Sequence, residues 1–219
     1  MEHYIGNVMG LEKVPFYLRE AVCEEMSHGV EVSNLAVLIA KELGESEEFC
    51  SRIELAGILH DIGKLKLTKY LYAEDGLLVE QMKYVRQHSA QSYAIVKEAG
   101  YSEEIGKAVY HHHENYNGSG YPDNLRGEAI PWMARILRVC DVFIALISER
   151  SYRDAFDPKA ALEIMIDEVA DYDMKVFLAF QRVVHNEVLG QGMGKIMTVT
   201  SRTQLEPLQL FEEEIKCMV

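Results

Sequence analysis

Helical periodicity is the feature of this sequence that most limits its fold. Apolar residues return at steps of three and four in residues 30–43, 49–59, 77–96 and 130–147, which is the spacing that buries one face of an α-helix. Strand-like alternation is scarce, and only residues 193–200 suit a short strand or an irregular tail. Gly44, the pair Asp157-Pro158 and the run 190–192 are typical of helix ends. The pattern predicts an all-α fold of about seven or eight helices.

Length and composition favour a single domain. A chain of 219 residues can bury a substantial core, and length alone gives weak support for two domains. Its 48% hydrophobic and 26% charged residues are ordinary for a globular protein. We expect one domain over residues 1–219, with residues 190–219 as a C-terminal tail. Because no apolar run is long enough to span a membrane and no secretory signal is evident, we also expect a cytoplasmic protein.

The net charge of −13 restricts the partners of this protein. DNA, RNA and anionic membranes would be repelled over most of its surface, so we expect none of them as a partner. A small anionic substrate would need a locally positive pocket, and bound metal ions are the most compact way to build one. The four cysteines are far apart and form no C-x-x-C pair, which predicts reduced thiols and not a zinc ribbon or disulfide framework.

Two His-containing pairs stand at predicted helix ends. His60-Asp61 follows the apolar segment 49–59, and the nearby Gly63 gives the backbone freedom for both side chains to meet one divalent ion. Taken alone, the pair fits a solvated, capped helix end better than it fits a metal site. His112-His113 repeats the arrangement before a long glycine-rich loop, residues 115–131. There a solvated helix terminus is an equal alternative, and the preceding His111 leaves the register open.

Four further residues could join them. Glu24 and His28 are one helical turn apart on the same face, and His88 lies within segment 77–96. Asp141 is the most informative, because an acid on an apolar helix is costly unless it is paired or binds a metal.

Taken together, these strings resemble the signature of HD-GYP domains, in the order and at about the spacing of that family. The resemblance covers roughly residues 20–185 and is carried by His60-Asp61-Ile62-Gly63-Lys64, by His112-His113-Glu114 with Gly118-Ser119-Gly120-Tyr121-Pro122, and by Arg135-Ile136-Leu137 with Asp141-Val142-Phe143.

The resemblance implies a ligand set. One metal ion would be held by His28, His60, Asp61 and Asp141, and a second, bridged by Asp61, by His88, His112 and His113. His111 falls outside this register, and His3 and His185 match nothing. Glu24 matches a carboxylate that holds a third ion in some members. Substrate contacts are implied for Lys64, which would meet a phosphate, and for Gly120, Tyr121, Pro122, Arg150 and Arg153.

The resemblance also implies an activity, the hydrolysis of cyclic di-GMP to linear pGpG, and it leaves open whether a second cut to GMP follows. Two ions that share Asp61 could activate a hydroxide that attacks phosphorus, with Lys64 offsetting the developing charge. The family implies two or three divalent ions, iron or manganese. The loop is also a candidate surface for a diguanylate cyclase or another signalling protein, and the Tyr121 ring could stack on guanine or on such a partner.

Three positions depart from the family pattern: Asn117, Ile144 and Ser151 stand where aspartate, aspartate and proline are usual. They leave substrate preference and loop behaviour open. Three alternatives therefore remain. The chain could be an HD hydrolase of ppGpp or a deoxynucleoside triphosphate, a hydrolase of cyclic GMP-AMP, or a non-catalytic module that binds cyclic di-GMP or a partner protein.

Overall fold

The structure is a computed structural model that describes residues 16–71, 85–149, 154–188, 207, 209–211 and 213–214. Eight α-helices occur in these ranges: α1 (Phe16–Glu42), α2 (Glu47–Leu59), α3 (Lys64–Leu71), α4 (His88–Glu98), α5 (Glu103–Tyr110), α6 (Trp132–Ile147), α7 (Pro158–Asp167) and α8 (Met174–Val183). Two 3₁₀ turns, Gly127–Ala129 and Val169–Asp171, and a π-helical stretch, Val184–Val188, complete the described elements.

Local chemistry explains where several helices begin and end. Ser46 and Ser102 cap α2 and α5 by accepting hydrogen bonds from the backbone N–H three residues on. Asp157 caps α7 ahead of Pro158 by accepting from the Lys159 N–H at 2.9 Å. Gly44 ends α1 with a φ of +78°, a left-handed conformation that costs glycine little. The helix-end signals at Gly44 and at Asp157-Pro158 are therefore confirmed.

Helix α1 is the centre of the fold. It packs against α2, α6 and α8, while α4 pairs with α5 and α3 rests on α4. The shared core contains large, fully buried side chains, among them Leu35, Ile39, Leu59, Phe143 and Phe180. The rings of Phe143 and Phe180 meet edge to face at 5.0 Å, which joins α6 to α8.

Close approach of α1 and α2 depends on two buried glycines. A Cβ on Gly57 would lie 2.6 Å from Ser33 Cα, and a Cβ on Gly29 would lie 2.6 Å from the Ile58 carbonyl oxygen. Both contacts are with backbone, so neither neighbour can rotate away. The helices can touch at this depth only because these positions have no side chain, and the contact brings His28 of α1 towards the end of α2.

The all-α prediction is confirmed, and the eight helices found in the described ranges agree with the expected number. The first helix begins at Phe16, well before the predicted segment 30–43, and α4 begins only at His88 within the predicted segment 77–96. The run 190–192 and residues 193–200 lie outside the described residues, and the single-domain organisation stays a prediction. None of the described helices is long and apolar enough to cross a membrane.

Candidate metal centre

Seven of the predicted ligands converge on one point, although five separate elements carry them. His28 projects from the middle of α1, and His60 and Asp61 occupy the turn after α2. His88 is the first residue of α4, His112 and His113 occupy the turn after α5, and Asp141 lies within α6. Helix ends and turns let neighbouring side chains such as His60 and Asp61 face the same point, which a helix interior does not allow.

The side chains form two groups that share Asp61. His28, His60, Asp61 and Asp141 form the first group, and Asp61, His88, His112 and His113 form the second. Within each group one nitrogen or oxygen atom of every residue lies within 4.8 Å of the others. In the first group His28 Nε2 is 3.0 Å and His60 Nε2 3.8 Å from Asp141 Oδ1. In the second, His88 Nε2 is 3.0 Å from Asp61 Oδ1.

Three histidines are oriented by the same kind of hydrogen bond to the backbone. The Nδ1 atoms of His60 and His112 lie 2.7 and 2.6 Å from the carbonyl oxygens of Gly57 and Val109, and His88 Nδ1 contacts the Val85 carbonyl. Each carbonyl belongs to the residue three positions earlier. A carbonyl oxygen only accepts hydrogen bonds, so Nδ1 donates in each ring and Nε2 keeps a lone pair directed at the centre. Metal-binding histidines are typically fixed in this way.

The facing lone pairs provide a test of whether this donor set fits a metal. His88 Nε2 and His112 Nε2 lie 3.2 Å apart. With both Nδ1 atoms protonated, the two Nε2 atoms cannot form a hydrogen bond to each other without a change of tautomer. Ligands bonded to one ion at about 2.0–2.1 Å lie roughly 3 Å apart, as these atoms do. The donor set therefore fits divalent metal ions.

Electrostatics support the same interpretation. Burial by itself raises the pKa of Asp61, but the neighbouring charges of His60 and Lys64 outweigh it and hold the pKa well below its usual range. The pKa of Asp141 is likewise held well below its usual range, because its hydrogen bonds with His28 and His60 outweigh the effect of burial. Burial lowers the pKa of His112 to about 4, so this imidazole is neutral at pH 7, as a metal ligand must be.

The pKa of His60 is shifted in the opposite direction to that of His112. Burial lowers its pKa, but Asp61 and Asp141 outweigh burial and raise it to about 10. Two buried carboxylates thus attract positive charge to this point, and a proton on His60 supplies part of it. A divalent ion can supply that charge in place of the proton, which frees the His60 nitrogen to act as a ligand.

Lys64 lies beside the first group. Its Nζ donates to Asp61 Oδ2 at 2.6 Å and to Glu25 Oε2 at 3.2 Å. Burial lowers the pKa of Lys64, but Asp61 and Glu25 raise it above its ordinary value, so the ammonium is charged. Glu25 was not among the predicted residues, and its position beside Glu24 was the only sequence signal for it. Glu24 is exposed, and the structure brings it into neither group.

The glycine-rich loop is anchored to the centre through Glu114. This buried carboxylate accepts the backbone N–H of Asp123 at 2.7 Å and of Leu125 at 3.0 Å. A Cβ on Gly120 would overlap the backbone of Asn115, His113 and Glu114. Glycine at this position therefore lets the loop fold back onto the residues that follow α5.

Tyr121 stacks on one of the predicted ligands. Its ring centroid lies 4.7 Å from that of His113 at an interplanar angle of 27°, and the Arg86 guanidinium lies over the tyrosine ring at 5.3 Å. Tyr121 and the following Pro122 are half-buried. The ring was expected to stack on guanine or on a partner protein, and in this structure it stacks on His113 of the metal centre. Arg86 had no motif to mark it.

The other predicted residues divide by position. Arg150, Ser151, Arg153 and His3 lie outside the described residues. His111 belongs to neither ligand group, as expected from the register, and instead its Nδ1 lies 3.8 Å from Glu114 Oε1. His185 is exposed. Cys50 and Cys140 are free thiols.

Two departures from the family pattern have a structural explanation. Asn117 accepts the Ser119 backbone N–H at 2.9 Å and donates to Asp171 at 2.5 Å, so it shapes the loop. Ile144 is fully buried in the core, where an unpaired aspartate would be costly.

Comparison with known proteins gives a family match and several similar proteins. The HD domain family model matches residues 11–176. The cyclic di-GMP phosphodiesterase response regulator RpfG of Xanthomonas campestris is 41% identical over 145 residues, 65% of this chain and 37% of RpfG. The 3'3'-cGAMP-specific phosphodiesterase 1 of Vibrio cholerae is 31% identical over 192 residues, 78% of this chain and 44% of that protein. The chain thus spans less than half the length of these relatives.

Solved structures share the fold. A cyclic GMP-AMP-specific phosphodiesterase of Vibrio cholerae superposes with a TM-score of 0.60 at 18% identity, covering 88% of this chain and 55% of that one. An HDG"Y"P protein of Bdellovibrio bacteriovorus gives a TM-score of 0.60 at 19% identity, covering 84% of this chain and 61% of that one. The resemblance to HD-GYP proteins seen in the motifs is confirmed, and the chain belongs to the HD domain family.

Proposed function

We propose that this protein is a metal-dependent phosphodiesterase that hydrolyses cyclic di-GMP to pGpG, with a second cut to GMP left open. The observation that carries the proposal is the pair of His/Asp groups joined by Asp61. A shared carboxylate between two adjacent ion sites is the arrangement that phosphoester hydrolysis uses. The name of the relative RpfG, at 41% identity, supports cyclic di-GMP as the substrate.

The residues of this chain have distinct roles in the proposed reaction. Asp61 belongs to both groups and fixes their separation, while the imidazoles of His60, His88 and His112 are held by backbone carbonyls. Bound divalent ions would supply an activated water and offset charge on the phosphate. Lys64, beside Asp61, adds a fixed positive charge at the position where charge develops on the phosphate oxygens.

We further propose iron or manganese as the native ions, since ligands rich in imidazole and carboxylate suit them. Glu24 remains a candidate for a third ion, and the two described groups account for two. Gly120, Tyr121, Pro122, Arg150 and Arg153 remain proposed substrate contacts. The loop that bears Tyr121 remains a proposed surface for a diguanylate cyclase or another signalling protein.

Cyclic GMP-AMP is the second candidate substrate. The observation that favours it is the 31% identity to the 3'3'-cGAMP-specific phosphodiesterase 1, whose alignment covers more of this chain than the RpfG alignment does.

The test is hydrolysis by the protein reconstituted anaerobically with iron or manganese. Cyclic di-GMP, 3'3'-cGAMP and cyclic di-AMP would be incubated in parallel and the products resolved by chromatography. Conversion of cyclic di-GMP to pGpG, absent in Asp61→Ala, is the expected result. Elemental analysis of the same samples should give about two ions per chain, or three if Glu24 holds another. Metal-loaded protein that cleaves none of the three nucleotides would contradict the proposal.

A further inference from the structure

Arg138 is a cation beside the metal centre that the mechanism does not use. It lies on α6 three residues before Asp141, so both side chains project from the same face of the helix. Its Nε donates to Asn115 Oδ1 at 2.8 Å, at the base of the glycine-rich loop. The side chain is half-buried and still open to solvent. Arg138 therefore lies between the metal centre and the loop.

Among the described residues, no carboxylate forms an ion pair with Arg138. Arg52 and Arg135, the other half-buried arginines that the structure describes, pair with Glu104 at 2.9 Å and Asp173 at 2.8 Å. Arg138 has no carboxylate within 4.0 Å among the described residues. The Asn115 amide that accepts from Arg138 itself donates to Asp171 at 3.1 Å, so this amide links the guanidinium to that carboxylate. Four of the five guanidinium N–H donors thus lack an acceptor in the described part of the chain.

A second unused donor lies close by. The Tyr172 hydroxyl is buried and has no hydrogen-bond partner among the described residues, although the residue is only 3% exposed. Stacking on Phe177 at 5.4 Å holds its ring in place. Burial raises the pKa of Tyr172 to about 12, and the charge of Arg138 acts against this rise. The hydroxyl is therefore a neutral donor within electrostatic reach of the guanidinium, and an unmatched buried donor of this kind is uncommon.

Tyr121 adds a third group to the same region. Burial raises the pKa of its hydroxyl, Asp61 and Asp141 raise it further, and Arg138 lowers it. The same guanidinium therefore acts on both tyrosines, one in the loop and one in the core. Arg138 and Tyr172 thus hold hydrogen-bond donors that have no acceptor among the described residues, so a ligand that binds beside Arg138 must offer acceptors.

We propose that Arg138 binds the O6 and N7 edge of a guanine base, with the Tyr172 hydroxyl as an additional donor, and so selects guanine over adenine. The proposal rests on the proposed function. The forked guanidinium matches two adjacent acceptors, whereas adenine places an amino group at the position of O6 and would bring donor against donor. The scissile phosphate is accounted for by the metal groups and Lys64. A group one helical turn from Asp141, next to the loop, is within reach of the nucleoside that the phosphate carries.

The experiment compares Arg138→Gln with wild-type metal-loaded protein on four substrates: cyclic di-GMP, 3'3'-cGAMP, cyclic di-AMP and bis(p-nitrophenyl) phosphate, which has no base. We expect kcat/KM to fall about 10- to 100-fold for the two guanine-containing substrates. Activity on cyclic di-AMP and on the base-free ester should stay within about twofold of wild type. Arg182→Gln is the matched control, because Arg182 is exposed and pairs with Glu42 away from the centre.

Two further measurements keep the result interpretable. If Arg138→Gln fails to fold, Arg138→Lys retains the charge but loses the bidentate fork, and it should show the same selective loss. Binding of 5'-GMP and 5'-AMP, followed by calorimetry, gives a readout independent of turnover, and wild type should bind GMP about 10-fold or more tightly than AMP.

Three results for Arg138→Gln would overturn base selection by Arg138. They are an equal fall in kcat/KM on all four substrates, an equal fall on the three cyclic dinucleotides alone, and no fall at all. Failure of the proposed function looks different. Wild-type protein would then cleave none of the cyclic dinucleotides, while the GMP and AMP affinities would still report on the guanine site. Equal affinities for GMP and AMP in the wild-type protein would refute the proposal.

Discussion

Gly57→Ala tests whether the glycine contact between α1 and α2 assembles the metal centre. The added methyl carbon would lie 2.6 Å from Ser33 Cα and 2.9 Å from Ser33 N, and ordinary contacts begin near 3.4 Å. The helices must therefore separate by about 0.8 Å at this point. Metal sites tolerate deviations of only about 0.2 Å in ligand distance. His28 on α1 and His60 after α2 should consequently lose their common ion.

The cost in stability follows from two opposing effects. Overpacking a core costs about 1–3 kcal/mol, and a collision with backbone belongs at the upper end because no rotamer relieves it. Replacing a helical glycine by alanine returns about 1 kcal/mol of helix propensity. The net loss of about 2 kcal/mol should lower Tm by roughly 4–8 °C for a chain of this length.

Two assays separate fold from site. Thermal unfolding followed by circular dichroism in the presence of a chelator gives the stability of the metal-free protein, free of linkage to bound ions. Competition with a chromogenic chelator should show affinity for one ion reduced about 10-fold or more, with the ion of the His88, His112 and His113 group retained.

Gly106→Ala is the matched control for this substitution. Its Cβ would meet only the Tyr93 ring, at 2.9 Å, and a side chain can move aside. This variant should melt at or slightly above the wild-type temperature. The reasoning fails if Gly57→Ala also melts at or above wild type and binds both ions with unchanged affinity.

Two other perturbations follow from single side chains. Lys64→Ala should retain both ions and lose about 100-fold in kcat, because a preorganised charge 2.6 Å from Asp61 is removed. Lys66→Ala is the control, since the Lys66 ammonium lies 3.6 Å from Glu214. Unchanged turnover in Lys64→Ala would exclude Lys64 from the mechanism. Burial raises the pKa of Glu31 from 4.5 to about 7, against a hydrogen bond from Ser148, so its favourable contribution to stability is complete below pH 4.5 and lost as pH rises to about 7. Glu31→Gln should therefore match wild type in urea unfolding at pH 4.5 and exceed it by on the order of 3 kcal/mol at pH 8, whereas a pH-independent difference would contradict the assignment.

Much of the candidate site was readable from the sequence because its motifs are local. His60 with Asp61 and His112 with His113 are adjacent in the chain, and each pair must stand at a helix end for both side chains to point one way. Asp141 stood out because an acid within an apolar helix needs a partner, and the structure gives it His28 at 3.0 Å. These inferences used only the neighbours of a residue along the chain, whereas the assignment of the ligands to two ions came from the resemblance to HD-GYP domains.

Other features depend on segments far apart in the chain, and the sequence carried no signal for them. Nothing beside Gly57 indicates that Ser33 lies against it, and nothing beside Tyr121 indicates that its ring covers His113. Glu24 and Glu25 are adjacent acids, yet only the packing of α1 against the turn before α3 decides that Glu25 receives the Lys64 ammonium.

The sequence by itself determined the helical class, the helix ends and the donor types, because hydrophobic period, capping and ligand chemistry are properties of residues and their near neighbours. The tertiary structure alone decided which donors meet, which charges stay unpaired and how closely two helices approach. Arg138 shows the difference. Its charge is evident in the sequence, but only the tertiary structure shows that its partner among the described residues is the amide of Asn115, which in turn bonds Asp171.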